Sequence, residues 1–409
     1  MTVPCCRFCG TPLRLTFVDL GSTPLANSYV DPARAERTDP THPLHARVCE
    51  SCFLVQVEAV VPPADIFGDY AYFSSFSDSW LDHARRFAQQ ATKERSLSDT
   101  SLVLEIASND GYLLRHFVDL DIPTLGVEPA KNVAVAAQEL GIETIVEFFG
   151  TALAEQLVSA GRRADLVVAN NVLAHVPDLN DFVEGLRMVL KPGGAISIEV
   201  PHLLRLIEQV AFDTIYHEHF SYFSMRTIER VLAAHELVVF DVEELSTHGG
   251  SLRVWATHRL DAPPASVGLE QVRAAERVAG LATADAYASF TASVERCRDG
   301  FLTFLADAKA TGSAVAAYGA AAKGNTFLNY CGVTADDIGY VVDRSPHKQG
   351  LLLPGSRLAI HAPDHVAETR PAHLVILPWN LRAEIAAQMA AIRGWDGRFV
   401  VAVPSVEIF

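Results

Sequence analysis

Imidazole, carboxylate and phenol side chains lie close together in one short stretch, Tyr216-His217-Glu218-His219. Histidine is the side chain best suited to moving protons near neutral pH, and a phenol can donate a hydrogen bond to a developing enolate oxygen. The density of these groups predicts acid–base chemistry, although a single histidine is more often a structural hydrogen-bonding group. A metal site on His217 and His219 is the alternative, but no third ligand is obvious.

Two pairs of cysteines near the amino terminus have the spacing of metal ligands. Cys6 and Cys9 form one Cys-x2-Cys pair, and Cys49 and Cys52 form the other. Two such pairs complete a closed tetrahedral zinc site, whose role is structural because no position is open to water. Cys5 is a spare thiol with poorer spacing. Four unrelated buried thiols are the alternative, but a segment as small as residues 1–60 could hardly fold without a bound metal ion.

A strand-like run, Ser101–Ile106, leads through a polar turn into a helix-like run, which is the first unit of a doubly wound α/β sheet. A second strand ends at Glu128, where a carboxylate can bind ribose hydroxyls, and a third ends in Asn170-Asn171. The turn lacks Gly-x-Gly-x-x-Gly, so we predict S-adenosylmethionine, a cationic ligand without a pyrophosphate. A fold of this type without a cofactor is the alternative. The predicted cofactor-binding residues are Glu105, Ala107, Ser108, Asn109, Asp110, Gly111, Glu128, Asn170 and Asn171.

Composition narrows the class of protein. With 409 residues, 49% of them hydrophobic, the chain is long enough for two or three domains. A net charge of −16 makes a nucleic-acid backbone a poor partner. The first residues lack the pattern of a secretory signal, and no apolar run approaches the roughly 18 residues that span a bilayer. We therefore predict a cytoplasmic monomer or small homo-oligomer that binds neither membranes nor nucleic acid.

Five motifs occur together and in order: the cysteine pairs, Glu105–Gly111, Asn170–His175, Tyr216–His219 and His248–Arg253. In this combination the chain resembles the zinc-containing nucleotide-sugar C-methyltransferases of antibiotic deoxysugar biosynthesis, over essentially its whole length. The resemblance implies an α/β protein with a small zinc-binding amino-terminal module, a doubly wound S-adenosylmethionine-dependent methyltransferase domain and a second, Rossmann-like carboxy-terminal domain. We expect these units to span residues 1–65, 66–260 and 261–409.

The resemblance also implies an activity and roles for individual residues. Members of this family methylate a carbon next to the ketone of a dTDP-4-keto-6-deoxysugar, and we expect C-3 here, with C-5 as the alternative. By position, His219 would be the general base, and Tyr216 and Glu218 would orient the ketone. His175 would line the sugar site. Either Tyr70 or Tyr72 would also approach the sugar, and we favour Tyr70.

A second strand–turn–helix pattern follows at Ser313–Thr326, and a later strand ends in Asp343. Gly319 and Lys323 in this turn could cradle the pyrophosphate of the sugar nucleotide at a helix amino terminus. One alternative is an NAD site of a sugar-nucleotide oxidoreductase, with Asp343 on the ribose, and another is a fold that only covers the active site. The predicted substrate-binding residues are His202, Tyr222, Lys323, Gly319 and Asn325.

Overall fold

A computed structural model describes residues 3–62, 74–76 and 78–409 of the chain. The strands are β1 Leu15–Thr23, β2 His42–Val48, β3 Val55–Gln56, β4 Val103–Ile106, β5 Thr124–Val127, β6 Thr144–Ile145, β7 Ala164–Asn170, β8 Leu190–Pro201, β9 Ser221–Tyr222, β10 Leu237–Leu245, β11 Ser251–His258, β12 Val315–Tyr318, β13 Val341–Val342, β14 Ile360–His361, β15 His373–Ile376, β16 Arg398–Val401 and β17 Glu407–Ile408. The α-helices are α1 Asp78–Glu94, α2 Leu114–Val118, α3 Lys131–Glu139, α4 Thr151–Ser159, α5 Leu179–Val189, α6 Leu203–Glu208, α7 Met225–Ala234, α8 Val267–Val278, α9 Asp285–Ala288, α10 Phe290–Ala310, α11 Ala322–Cys331, α12 His365–Thr369 and α13 Arg382–Gln388.

The amino-terminal module is built on a four-stranded sheet in the order β1-β2-β3-β9. Its last strand comes from the middle of the chain, since Tyr222 pairs with Val55 and Ser221 pairs with Gln56. The other side of the module packs on the carboxy-terminal third, where Phe17 of β1 stacks on Phe290 of α10 with ring centroids 4.2 Å apart. The residues that directly precede β9 are therefore held by the module.

The central sheet has seven strands in the order β10-β11-β8-β7-β4-β5-β6. Strands β4 to β8 run parallel, and β10 and β11 form an antiparallel extension. The chain goes from β4 outward to β6 and then returns to β7 on the other side of β4. This reversal places a crevice outside the carboxyl ends of β4 and β7, where doubly wound proteins bind ligands.

The carboxy-terminal sheet repeats this plan, with six strands in the order β14-β13-β12-β15-β16-β17. Its reversal lies between β12 and β15. Gly319 directly follows β12 in the left-handed region (φ +100°), and a Cβ atom there would lie 2.5 Å from Cδ of Pro378. Only glycine allows this close approach of the two loops. The mixed α/β fold with its cysteine-bearing module and two doubly wound sheets matches the predicted fold class.

A buried ionic group fixes α1 to the central sheet. The carboxylate of Glu199 in β8 is completely buried and accepts hydrogen bonds from Arg253 Nε (2.8 Å) and from His83 Nε2 of α1 (3.0 Å). Arg253 also pairs with Glu243, at 3.1 Å. Glu199 and Arg253 each have hydrogen-bonding partners of opposite charge, so the free-energy cost of burying their charges is compensated. Removing one partner leaves an uncompensated buried charge.

Replacing Arg253 with methionine should therefore lower the free energy of unfolding by about 3 kcal/mol, because Glu199 loses its cationic partner in a dry environment. Arg382→Met is the matched control, since Arg382 pairs with Glu407 on the surface, where such a pair contributes less than about 1 kcal/mol. Urea denaturation of both variants measures the difference. Equal losses for the two variants would contradict a special role for the buried group.

Candidate active site and metal centre

The four cysteines meet in one cluster. The sulfur atoms of Cys6, Cys9, Cys49 and Cys52 all lie within 4.8 Å of one another, with 3.6 Å between Cys6 and Cys52 and 3.4 Å between Cys9 and Cys49. Four sulfurs at about 2.3 Å from a zinc ion have tetrahedral edges of about 3.8 Å, so the cluster fits the ion. Among the described residues this is the one group arranged to hold a metal ion, which leaves the histidine-based metal alternative without support.

Gln56 links the metal cluster to the rest of the molecule. Its side-chain amide donates to Cys6 Sγ at 3.2 Å, and its carbonyl oxygen accepts from the backbone N–H of Arg7 at 2.9 Å. Hydrogen bonds of this kind orient metal ligands. Gln56 is also the β3 residue that pairs with Ser221 of β9, so the metal cluster and the end of the Tyr216–His219 motif share one strand pair.

The turn after β4 has an unusual backbone. Ala107, Asn109 and Gly111 all have φ values in the left-handed region, at 56°, 49° and 77°. The carboxylate of Glu128 clamps this turn, because it accepts from the N–H groups of Asn109 (3.0 Å) and Ala130 (2.8 Å). The acid at the end of β5 therefore fixes the shape of the turn in which the cofactor-binding residues are predicted.

Several carboxylates lie near Glu105, the β4 residue close to this turn. Burial raises the pKa of Glu105 well above its usual range, a hydrogen bond from Tyr112 opposes this, and the negative charges of Asp110, Glu128 and Glu199 raise it further. A site with several buried acids favours a positively charged ligand. S-adenosylmethionine has a sulfonium and an ammonium group, so these residues fit it.

The remaining predicted cofactor residues lie around the same crevice. Asn109 and Asp110 each accept from a backbone N–H before α1, those of Ser74 and Ser75, both at 3.0 Å. Buried polar atoms without a hydrogen-bond partner among the described residues occur on Ser108 Oγ, Asp110 Oδ1 and Asn170 Oδ1. Such atoms are costly unless a ligand satisfies them. The Asn171 N–H donates to the carbonyl of Glu199 at 2.8 Å.

His219, the second histidine of the Tyr216–His219 motif, has a defined orientation. Its Nδ1 lies 3.0 Å from the carbonyl oxygen of Thr214, and its Nε2 lies 2.9 Å from the hydroxyl of Tyr216. A carbonyl oxygen only accepts, so Nδ1 of His219 carries the proton and the lone pair of the neutral ring is on Nε2. The Tyr216 hydroxyl then donates to that lone pair. This is the arrangement expected of a base with a phenol next to it.

Two further predicted residues contact His219. The ring centroid of His175 lies 4.7 Å from that of His219, with the two rings edge to face. The ring centroid of Tyr222 lies 6.1 Å from that of His219. Burial lowers the pKa of His175 to about 4, although the Glu218 backbone opposes this shift. His175 is therefore neutral at pH 7, and burial likewise raises the pKa of Tyr222, which keeps its phenol protonated.

Glu218 is held by a residue that the sequence did not single out. Asn27, in the loop after β1, donates from Nδ2 to Glu218 Oε1 at 2.7 Å. Nearby, the Tyr29 hydroxyl donates to the carbonyl of Ala320 at 2.6 Å, and Lys348 Nζ donates to the same oxygen at 2.9 Å. This loop of the zinc module thus joins the Tyr216–His219 motif to the turn after β12. No sequence pattern predicted these contacts, because they join residues that are far apart along the chain.

The predicted residues of the carboxy-terminal turn have distinct environments. Lys323 Nζ donates to Asn380 Oδ1 at 2.8 Å and lies 5.2 Å from the ring centroid of Trp379. Asn325 is 1% exposed and donates to the carbonyl of Ala26 at 3.2 Å, so it supports the zinc-module loop.

His202 and Tyr70 are the two remaining predicted residues. His202 is buried in an ion pair with Glu276, at 2.8 Å, and its side chain is 1% exposed. Glu276 also accepts from the N–H groups of Met225 and Arg226 at the start of α7. His202 therefore connects β8 to α8 through Glu276, and its role as a substrate ligand stays a prediction. Tyr70, like Tyr72, lies outside the described residues.

Comparison with known proteins identifies the family. Models of a C-methyltransferase C-terminal domain, a zinc binding domain and a methyltransferase domain match residues 246–404, 6–67 and 80–242. The C-methyltransferase NovU of Streptomyces niveus is 34% identical over 403 residues, which cover 98% of this chain and 96% of that protein. The chain belongs to this C-methyltransferase family. It is an S-adenosylmethionine-dependent C-methyltransferase with a zinc-binding module.

More distant matches cover only the middle of this C-methyltransferase. The ubiquinone biosynthesis O-methyltransferase of Methylobacterium nodulans is 33% identical over 114 residues, covering 27% of this chain and 44% of that protein. A solved S-adenosylmethionine-dependent methyltransferase from Clostridium acetobutylicum covers 44% of this chain and 92% of its own, at 13% identity and a TM-score of 0.35. That score is too low to support a common function. None of the helices that the structure describes has both the length and the apolar character needed to cross a membrane.

Replacing Cys52 with serine should reduce zinc binding and methyl transfer together, because the metal cluster stabilises the β3–β9 pair next to His219. Elemental analysis for zinc and an activity assay measure the two effects. Cys5→Ser is the matched control, since Cys5 is an exposed thiol outside the cluster, and it should retain both properties. Full activity of metal-free Cys52→Ser protein would contradict the link.

Replacing Asn27 with alanine should move the acidic limb of the activity profile to higher pH. Burial raises the pKa of Glu218 and the Asn27 hydrogen bond lowers it, so loss of the amide raises the pKa further. The carboxylate then persists only at higher pH. A pH series of kcat/KM measures the shift, with Ser28→Ala, an exposed neighbour, as the control. An unshifted limb would mean that the charge of Glu218 is not required.

Proposed function

We propose that the enzyme methylates the carbon next to the ketone of a dTDP-4-keto-6-deoxysugar, at C-3, in antibiotic deoxysugar biosynthesis. The observation that supports this most directly is the Thr214–His219–Tyr216 chain, in which the imidazole lone pair is on Nε2. Methylation of carbon needs a base of this kind, because the C–H bond must first lose its proton. Methylation at C-5 of the same sugar class is the alternative, since C-5 also flanks the ketone.

In the first step, the Tyr216 hydroxyl turns its proton away from His219 Nε2, and this nitrogen takes the proton from the carbon next to the ketone. The electron pair of that C–H bond moves into the enolate, and its negative charge develops on the carbonyl oxygen. Hydrogen-bond donors positioned in a dry site stabilise this oxygen. Tyr216 and His175 are the candidate donors, because both contact His219 and burial keeps His175 neutral.

In the second step, the enolate carbon forms the new carbon–carbon bond. S-adenosylmethionine, when bound, supplies an electrophilic methyl group whose bond to sulfur breaks, and the electron pair stays on the sulfur. The residues proposed to hold it are Glu105, Asp110 and Glu128, whose charged carboxylate forms a bound cation favours, together with the backbone turn 107–111. Glu218, held by Asn27, would support the reacting sugar, and Tyr222 would pack beside the base.

We further propose that the turn after β12 binds the pyrophosphate of the sugar nucleotide. Lys323 supplies a positive charge at the start of α11, and Gly319 allows the turn to adopt its left-handed backbone. Asn325 contributes indirectly by fixing the zinc-module loop at Ala26.

Replacing His219 with asparagine should lower kcat by about 10³-fold, because an amide can still donate to the Thr214 carbonyl but cannot accept the proton. Binding of S-adenosylhomocysteine, measured by calorimetry, should not change. His217→Asn is the matched control: His217 Nε2 donates to the carbonyl of His42 (3.2 Å), and an amide can replace that bond. Near wild-type turnover by His219→Asn would rule out the proposed base.

A further inference from the structure

A carboxylate that the proposed chemistry does not use is buried next to the catalytic motif. Asp213 is 1% exposed, and its Oδ2 accepts a hydrogen bond from the indole Nε1 of Trp379 at 2.8 Å. Trp379 belongs to the loop that follows β15 in the carboxy-terminal domain. The bond therefore crosses from that domain to the segment immediately before Tyr216–His219.

The same turn that contains Asp213 also orients His219. Asp213 lies in the one-turn 3-10 helix Phe212–Thr214, and the next residue, Thr214, provides the carbonyl that accepts from His219 Nδ1 at 3.0 Å. A shift or rotation of this turn would move that carbonyl. Because the carbonyl determines which way the imidazole points, the turn controls the position of the Nε2 lone pair.

Packing holds the other side of this turn against the carboxy-terminal domain. Phe212 is completely buried, and its ring lies 5.8 Å from that of Phe327 and 5.3 Å from that of Tyr330, both in α11. These apolar contacts hold the turn on α11 but are not directional. The Asp213–Trp379 hydrogen bond is directional, so it selects one rotation of the turn.

The charges around Asp213 argue against a purely stabilising role. Burial raises the pKa of Asp213 to about 6, while Lys323 and the Trp379 hydrogen bond act in the opposite direction. A buried carboxylate is costly, and an apolar side chain of similar size is often as stable or more stable at such a position. The carboxylate makes a directional hydrogen bond with Trp379 that an apolar side chain could not make.

We propose that Asp213 and Trp379 are positioning residues: their hydrogen bond ties the carboxy-terminal domain to the turn whose Thr214 carbonyl orients the base. This rests on the proposed function of His219. The carboxy-terminal domain then has a second task besides holding the sugar nucleotide. It fixes the angle at which His219 meets the substrate.

The experiment measures the base alone. Wild type and variants are incubated with a dTDP-4-keto-6-deoxysugar and S-adenosylhomocysteine in heavy water, and NMR follows exchange of the hydrogen next to the ketone. The variants are Trp379→Phe, which keeps the ring but removes the N–H donor, Asp213→Ala, and Asp213→Asn, which keeps an oxygen acceptor. Trp395→Phe is the matched control, because Trp395 donates to the carbonyl of Pro371 (3.1 Å) elsewhere in the same domain.

We expect Trp379→Phe and Asp213→Ala to slow exchange about tenfold through misplacement of the base. Asp213→Asn and Trp395→Phe should stay near the wild-type rate. Under turnover conditions kcat of Trp379→Phe should fall, while KM for the sugar nucleotide and the affinity for S-adenosylhomocysteine stay unchanged because an aromatic ring remains beside Lys323. A residue needed only for folding would not give this split with an unchanged melting temperature.

Three results would overturn the inference: wild-type exchange by Trp379→Phe, a raised KM with unchanged kcat, or equal losses for Asp213→Asn and Asp213→Ala. If Asp213→Ala does not fold, the Trp379→Phe result decides. Failure of the proposed function is distinguishable, because the wild-type enzyme itself would then exchange no hydrogen next to the ketone.

Discussion

The hydrogen bond from His219 Nδ1 to the carbonyl of Thr214 is the interaction on which the proposed chemistry depends. A backbone carbonyl has no proton to give, so this single contact fixes the tautomer and places the lone pair of the ring on Nε2. A base with an undefined tautomer would have its lone pair on the wrong nitrogen part of the time. The residues on both sides of the motif serve this contact: the 3-10 turn at Phe212–Thr214 holds the carbonyl, and β9 holds the chain beyond His219.

Three parts of the chain are needed to build that small region. The zinc module contributes Gln56, which bonds to a metal-binding sulfur and pairs with β9, and Asn27, which bonds to Glu218. The carboxy-terminal domain contributes Trp379. A zinc ion held by four cysteines has no open position for substrate or water, but the module provides contacts to the Tyr216–His219 motif. The metal cluster and the Tyr216–His219 motif are therefore linked through the β3–β9 strand pair.

The two doubly wound sheets also share a detail of construction. In the central sheet, Glu128 accepts from the N–H of Asn109 and from the N–H two residues after itself. In the carboxy-terminal sheet, Asp343 accepts from the N–H of Ala320 (2.8 Å) and from that of Ser345 (2.8 Å), again two residues after itself. An acid at the end of the second strand thus clamps the turn after the first strand in both sheets, which agrees with an origin by internal duplication.

The sequence predicted what is encoded within short segments. The two Cys-x2-Cys pairs predicted the metal cluster, and the β4 turn with Glu128 predicted the crevice of the central sheet. Each of these signals lies within a few consecutive residues. The sequence could not predict Asn27, Asp213 or Trp379, since each contacts the motif only after distant parts of the chain pack together. The contact of His202 with Glu276 was likewise not predictable, because it depends on the docking of α8.

The central claim is that the methyl group is delivered to the ring carbon beside a ketone. Incubation of the enzyme with a dTDP-4-keto-6-deoxysugar and S-adenosylmethionine labelled with carbon-13 in its methyl group tests it directly. NMR of the product should show the labelled methyl bonded to C-3, with the chemical shift of a methyl group on carbon rather than on oxygen. Long-range coupling of the labelled carbon to ring protons identifies the position. A label on oxygen, or no label on the sugar, would contradict the account.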